Sequence, residues 1–391
     1  MQDDNFKTPE EIANQENDQV ATPILNKEED KVTKMAKKPK FKLTKKQIIV
    51  LIIALVIIVA GIAAFLFLSS SPHKTVTNKV VPKKQVIKPV SDLVPSNLTG
   101  LPVNPSVNKL PVTAVMVENS LAARPQSGLG QAGVVFEALA EGGITRFMAL
   151  YQDTAPTYVG PVRSARPYFV QWALGFDAAY AHVGGSPLAL SDIQAWGVKD
   201  LNQFYNGSYY TRITSRYAPH NVYTSIANLH NLEAQKGFGQ SVFTSWPRTP
   251  ASPLKNPTAT KINLTLSVPD YNPSYVYDPS TNSYNRSEGG SPQIGTDTNK
   301  QISPKVVIAM VIPESNGPLD SSGAYYSDYS TIGSGQVYVF QNGGVETGQW
   351  SKSSNTAQIN FTNNNGQPLK LIPGQVWITA VVSSSYVNYS N

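Results

Sequence analysis

A chain of 391 residues, 41% hydrophobic and 15% charged, is long enough for two folded domains and too apolar to be wholly disordered. It contains no cysteine, which excludes disulfide staples, thiol nucleophiles and thiolate metal sites. The net charge of +6 gives no support to a nucleic-acid partner, because from Pro111 onward sixteen basic residues face sixteen acidic ones and the excess sits before that point.

The first 46 residues are polar and charge-mixed, the composition of a disordered tail. Ile48 to Leu68, "IIVLIIALVIIVAGIAAFLFL", then runs twenty-one residues without a charge, enough to cross a bilayer core as a helix. The run is too long and too far from Met1 for a secretion signal, and it lacks a small-residue cleavage site. A single transmembrane helix over 47–69 is therefore expected. Nine lysines in residues 27–46 against five in residues 69–88 keep the 1–46 tail cytoplasmic and place the bulk of the chain outside. Residues 70–110, rich in Pro, Val, Lys, Ser and Asn, read as an extended extracytoplasmic linker.

From Pro111 the pattern changes. "VTAVMVE", "VVFEAL" and "ITRFMALY" predict strands, the last two joined through Gly142-Gly143 as a hairpin. "RPYFVQWALG" predicts a helix with Pro167 at its first position. "AAYAHV" is a buried strand, and "GGSP" turns into the helical "LALSDIQAWG" with Ser186 as N-cap. A further helix, "SIANLHNLEAQKG", takes Thr224 as N-cap and Gly237 as its stop. Strands alternating with helices predict an α+β or α/β layered domain over 111–245. After the proline-rich "WPRTPASPLKNPT", alternating runs such as "SYVYDPSTNSYNR", "GQVYVFQNGGVETGQW" and "QVWITAV" predict a mainly antiparallel β region over 260–385. The pattern leaves open whether that region forms its own sheet or extends the first.

Six of the eight arginines fall between positions 124 and 216, an interval with one lysine, Lys199. Solvation is served by either residue, whereas a planar guanidinium fork grips carboxylate or phosphate bidentately. Arg163 and Arg166 also precede a predicted helix N-terminus, where free N–H groups and the helix dipole favour an anion. Together with Arg124, Arg146, Arg216, His220 and the Gly184-Gly185-Ser186 turn, they make up the candidate ligand-binding set. Glu137, Glu141 and His182 are the candidates for acid–base chemistry. The opposing reading places Arg163 and Arg166 in structural pairs with Glu137, Glu141 or Asp192. The histidines lack a metal-ligand spacing such as HExxH, and no nucleophile elbow, Walker loop or dinucleotide fingerprint occurs, so neither metal nor cofactor is expected.

"MVENSLAARPQSGLGQAGVVFEALAEGGITRFMALYQ" and "VGPVRSARPYFVQWALGFDAAYAHVGGSPLAL", followed by "YNPSYVYDPSTNSYNRSEGG" and "GSGQVYVFQNGGVETGQWSK", resemble the bacterial DUF3048 family. The likeness runs over residues 111–382 with its motifs in order. It implies an extracytoplasmic, envelope-associated protein of unestablished biochemistry and carries no catalytic roles. The family motifs fall here on Glu118, Asn119, Arg124, Glu137, Glu141, Arg146, Arg163, Arg166, His182 and Ser186. This chain departs from the family's lipoproteins in having no lipobox cysteine, so the expected anchor is the helix.

The resulting expectation is a membrane-anchored envelope protein that binds an anionic ligand through an arginine-lined cleft. Peptidoglycan, a glycan and a lipid-linked phosphate are the ligand classes considered. The alternatives are a glycan-processing hydrolase or phosphotransferase, and a structural partner of envelope machinery. Protease added to cells with a permeabilised wall should digest everything after residue 70, and protection of that region would reverse the assigned topology.

Overall fold

Strands β1 (Thr113–Glu118), β2 (Val134–Glu141) and β3 (Ile144–Tyr151) are buried along nearly their whole length, so the sheet they build must be covered on both faces. The computed structural model describes residues 92–320 and 322–391. The expected tail, the transmembrane helix and the first part of the linker lie outside them. Among the described residues no helix is long and apolar enough to cross a membrane.

β2 and β3 form the expected hairpin. Gly142 and Gly143 both take positive φ, 56° and 75°, the conformation a tight turn between twisted strands requires. β1 pairs antiparallel with β3 and parallel with β4 (Ala179–Ala181), which pairs parallel with β5 (Lys199–Asp200). Helices α1 (Pro167–Leu174) and α2 (Pro187–Ala195) flank β4, each with proline in its first turn. The cap of α3 (Ile226–Gln235) is Ser225 and not Thr224. Ser225 Oγ accepts the Asn228 N–H at 3.1 Å, whereas the Thr224 hydroxyl is committed to the Tyr209 carbonyl at 2.8 Å.

The second half supplies β6 (Lys261–Leu264), β7 (Pro273–Asp278), β8 (Ser283–Glu288), β9 (Ser291–Pro292) and β10 (Val306–Val311). It continues with a hairpin of β11 (Glu314–Leu319) and β12 (Tyr325–Tyr329), then β13 (Gly333–Gln341), β14 (Gly344–Lys352), β15 (Asn360–Asn363), β16 (Val376–Val381) and β17 (Val387–Ser390). Many of these strands enter the first sheet. β16 pairs parallel with β2 on one side and with β10 on the other. The order across the sheet is β15-β14-β13-β10-β16-β2-β3-β1-β4-β5, and β11 and β12 attach through β2 to make twelve strands. A separate antiparallel sheet runs β9-β8-β7-β6-β17. The two parallel junctions are the departure from an antiparallel C-terminal half. They belong to "VVIAMV" and "VWITAV", continuous apolar runs suited to strands buried on both faces.

Three layers result. Met116, Phe136, Met148 and Ile308 pack towards α1 and α2, where the Phe136 ring stacks on Trp172 at 5.0 Å. Val117, Phe147, Ala149 and Trp377 face α3 and the five-stranded sheet, meeting Leu229, Leu232, Ile262 and Tyr275. The molecule is mostly β, with three α-helices among the described residues. Its folded part also begins before Pro111. Leu98 is buried in the core and Ser96 Oγ donates to Asp153 at 2.6 Å, so the prolines of 92–110 stiffen a packed segment.

Because both halves share one sheet, tryptophan fluorescence and near-ultraviolet dichroism of residues 92–391 should be lost in one coincident thermal transition. Two separated transitions would mean that the halves fold independently.

Candidate functional site

Three glutamates at or near the ends of β1 and β2 sort the arginines into groups. The first is Glu141, at the end of β2. Arg146, in β3, gives Nη2 to Glu141 Oε1 at 2.5 Å and Nη1 to the Ser164 carbonyl at 3.0 Å. Arg166, the residue before α1, gives Nε and Nη2 to Glu141 Oε2 at 3.0 and 2.5 Å and Nη1 to the Ala165 carbonyl at 2.6 Å. Its guanidinium lies 4.6 Å from the Tyr326 ring centre. Both guanidiniums are buried and committed. Burial works to raise the Glu141 carboxyl, but the charges of Arg146 and Arg166 outweigh it and hold the group at about 2.

The second group gathers on Glu118, which ends β1 directly opposite Arg146 in the antiparallel register. Glu118 is only 3% exposed, yet its Oε1 receives His220 Nδ1 at 2.9 Å and Ser120 Oγ at 2.9 Å, and Arg163 Nε lies 3.3 Å away as an ion pair without hydrogen-bond geometry. Its Oε2 is buried without a hydrogen-bond donor among the described residues. A carboxylate oxygen only accepts, so His220 Nδ1 carries a proton and Nε2 points the other way. Nε2 and the two η nitrogens of Arg163 bond to no group among the described residues, and both side chains are 23% exposed. Burial pushes the Glu118 carboxyl up, and the His220 hydrogen bond and the Arg163 charge more than offset it, so the carboxyl lies below its ordinary value. His220 arrives on a short hairpin, Thr211–Arg212 with Val222–Tyr223. Arg216 in its loop clamps the carbonyls of Ala123 and Pro125, the latter at 2.9 Å.

The third group is internal. Glu137 is fully buried and accepts from Arg286 Nη2 at 2.7 Å, Trp377 Nε1 at 3.0 Å and Thr379 Oγ1 at 3.2 Å. Arg286 also bonds Glu288, Gln293 and the Tyr275 hydroxyl. Arg124 bridges outward from it, 3.6 Å from Glu288, with Nε on Asn119 Oδ1 at 3.1 Å and Nη2 on the Asp270 carbonyl at 2.8 Å. Arg286 is absent from the sequence-derived set. The signal was present in the alternation of "SYNRSE", where Tyr284, Arg286 and Glu288 share the inward face of β8.

The remaining candidates are committed within the fold, on a segment that the Val183 N–H joins to the Arg163 carbonyl at 3.0 Å. His182 is fully buried, with Nδ1 2.6 Å from the Gly184 carbonyl and Nε2 3.0 Å from Asp200 Oδ1, so neither ring nitrogen is free. Gly184 takes φ 59°, and a Cβ there would lie 2.7 Å from the Phe204 ring, while its N–H donates to Asn202. Gly185 packs against Ala165, and Ser186 caps α2 by accepting the Ala189 N–H at 3.3 Å. Two surface grooves, one around Gln336 and Gln349 and the other around Gln341 and Lys370, contain no arginine. Among the described residues no three His, Asp or Glu side chains cluster as a metal site.

The Glu141 group carries a pH signature. Its folded value, about 2, lies below the ordinary 4.5, so its stabilisation is present above about pH 4.5 and lost as pH falls towards 2. Glu141→Gln should cost about 3 kcal/mol at neutral pH by leaving two buried guanidiniums unpaired. Thermal melts should also show a weaker decline in Tm between pH 4.5 and 2 than the parent shows. An unchanged pH profile would contradict the pairing.

Two family models match the chain: "Protein of unknown function (DUF3048) N-terminal domain" over residues 98–239, and "Protein of unknown function (DUF3048) C-terminal domain" over residues 262–378. The Bacillus subtilis (strain 168) protein named "Putative lipoprotein YerB" is 31% identical over 303 residues, 76% of this chain and 89% of that protein. The crystal structure of YerB from Bacillus subtilis is similar with a TM-score of 0.68 at 31% identity, covering 76% of this chain and 100% of that one.

Proposed function

The chain belongs to the DUF3048 family, and from that premise we propose that it is a membrane-anchored, extracytoplasmic envelope protein that binds an anionic envelope group at Arg163 and His220. The observation that carries the reading is the use of one buried carboxylate for two purposes. Glu118 holds His220 by a hydrogen bond to Nδ1 and Arg163 by charge, and leaves His220 Nε2 and the two Arg163 η nitrogens unbonded among the described residues. A fork and an imidazole already oriented in the free protein lose little conformational freedom on meeting a ligand. Arg146, Arg163 and Arg166 set three guanidiniums against the two carboxylates Glu118 and Glu141, so the local field favours an anion.

In this reading the other arginines have supporting tasks. Arg146 and Arg166 supply charge and rigidity beneath the site, and Arg124 and Arg216 hold the loops at its rim. The envelope location is supported by the relative's name as a lipoprotein. Since the sequence holds no cysteine for lipid attachment, the anchor proposed is the apolar span over 47–69 with the N-terminus cytoplasmic. Cell-wall polymers and lipid-linked glycans are the proposed partners.

An envelope glycan-processing enzyme is the second reading, because a carboxylate-held imidazole with a free Nε2 is also the arrangement of a general base. Ser120 does not serve it as nucleophile. Its Oγ lies 3.4 Å from Nδ1, on the nitrogen that Glu118 already holds.

Binding of the protein to isolated wall and lipid-linked glycan fractions tests the proposal. Arg163→Ala and His220→Ala should each weaken binding ~10-fold or more, the scale of a lost charged hydrogen bond, beyond the fall in Tm that follows from taking a partner from buried Glu118. Arg163→Lys should fail to restore it, since ammonium lacks the fork. Binding that survives all three substitutions would end the reading.

A further inference from the structure

We infer that the outer face of β13 and β14 is a second binding site, independent of Arg163 and His220, that takes an uncharged stretch of glycan chain.

The site exists because a layer ends. Side chains alternate along β13 and β14, and Val337, Val339 and Trp350 enter the core beside α1 and α2. The opposite side of β13 carries Phe340, Tyr338, Gln336 and Ser334 in succession. Tyr389 of β17, an edge strand of the five-stranded sheet, covers the first two, its ring centre 5.4 Å from that of Phe340 and 6.4 Å from that of Tyr338. Gln336 and Ser334 lie past that cover and are exposed. With their neighbours on β14 they line a groove of about 480 Å³, a volume within the range of small-ligand sites.

The lining of the groove is polar without charge. Gln336 stands directly opposite Gln349, and Ser334, Thr347 and Asn364 lie around the pair. The other lining residues are glycines. Asn364 Nδ2 donates to Thr347 Oγ1 at 3.3 Å, and both glutamine amides and the Ser334 hydroxyl bond to no group among the described residues. Lys352, on the inward face of β14, is spent on the carbonyls of Asn355 and Ala357. Tyr338 pairs directly with Thr347, so its half-buried ring stands at the covered end of the groove.

That set of groups suits a sugar. A sugar hydroxyl both donates and accepts, as do the glutamine amides and the serine and threonine hydroxyls that face it. The C–H face of a pyranose ring rests on an aromatic ring, which Tyr338 supplies. An anionic group would give up its hydration here with no cation to receive it. An extended peptide pairs through its backbone at the free edge of a sheet, whereas this groove lies on a face.

The test uses the full-length protein in a detergent without a sugar headgroup, titrated with N-acetylglucosamine tetramer, cellotetraose, anionic tetragalacturonate and an uncharged Gly/Ser peptide. At least one neutral tetramer should bind with a Kd of ~1 mM or tighter, and ~10-fold or more tighter than tetragalacturonate. Gln336→Ala combined with Gln349→Ala should weaken that binding ~10-fold or more, the scale of two neutral hydrogen bonds. Both residues are exposed, so Tm should stay unchanged. Lys370→Ala, in the groove around Gln341, should leave binding as it was. Failure of both neutral tetramers to bind would overturn the inference, as would tetragalacturonate binding equally well. Binding that survives the double substitution, or falls as far with Lys370→Ala, would do the same. A peptide that binds as tightly as the sugars would reassign the groove to a protein partner.

Discussion

The buried ion pair between Arg286 and Glu137 joins the two sheets, and the placement of the site depends on it. A charge removed from water is costly unless its partners are complete, and here they nearly are. Glu137 takes donors from Arg286, Trp377 and Thr379, and the Arg286 guanidinium lies 4.4 Å from the Trp377 ring centre. Glu288 completes the group. Burial holds its carboxyl above the ordinary range, Glu137 adds to that effect, and Arg286 and Arg124 oppose it. Through Arg124 and Asn119 the same network reaches the loop that follows Glu118. The interior pairing of two sheets and the surroundings of the Glu118 carboxylate thus belong to one continuous set of contacts.

The enrichment in arginine has three physical uses in the structure. Arg286, Arg146 and Arg166 neutralise buried carboxylates, Arg216 and Arg124 clamp backbone carbonyls of neighbouring loops, and the Arg163 η nitrogens bond to no group among the described residues. All three need a rigid planar donor with several N–H groups, which is why lysine is scarce in the same interval. An excess of arginine is therefore evidence for organised polar contacts, and only the geometry separates contacts made within the protein from those left for a ligand.

Local chemistry was the part of the fold most legible in the sequence. The Gly142-Gly143 turn, the proline-led helices α1 and α2 and the Ser186 cap all follow from backbone preferences of a few residues. The parallel insertion of β16 between β10 and β2 did not follow, because partners far apart in the chain, over two hundred residues in the case of β2, leave no periodicity to read. The same holds for the site. Arg163 and His220 stood out by residue type, but their common partner Glu118 is 102 residues from His220 in the chain. Glu141 was named as an acid–base candidate, and it holds two buried guanidiniums.

The position of β16 bears on how the chain is made. It is synthesised after both of its neighbours, yet it lies in the middle of the large sheet with one of them on each side. Until residue 381 has emerged, β2 and β10 each present an open, apolar edge, the kind of surface that pairs with other chains. Closure therefore waits on a strand made after both of the strands it joins. A nascent chain stopped short of that strand would be a natural substrate for chaperones and quality-control proteases, and the emergence of that strand would itself be the step that closes the large sheet.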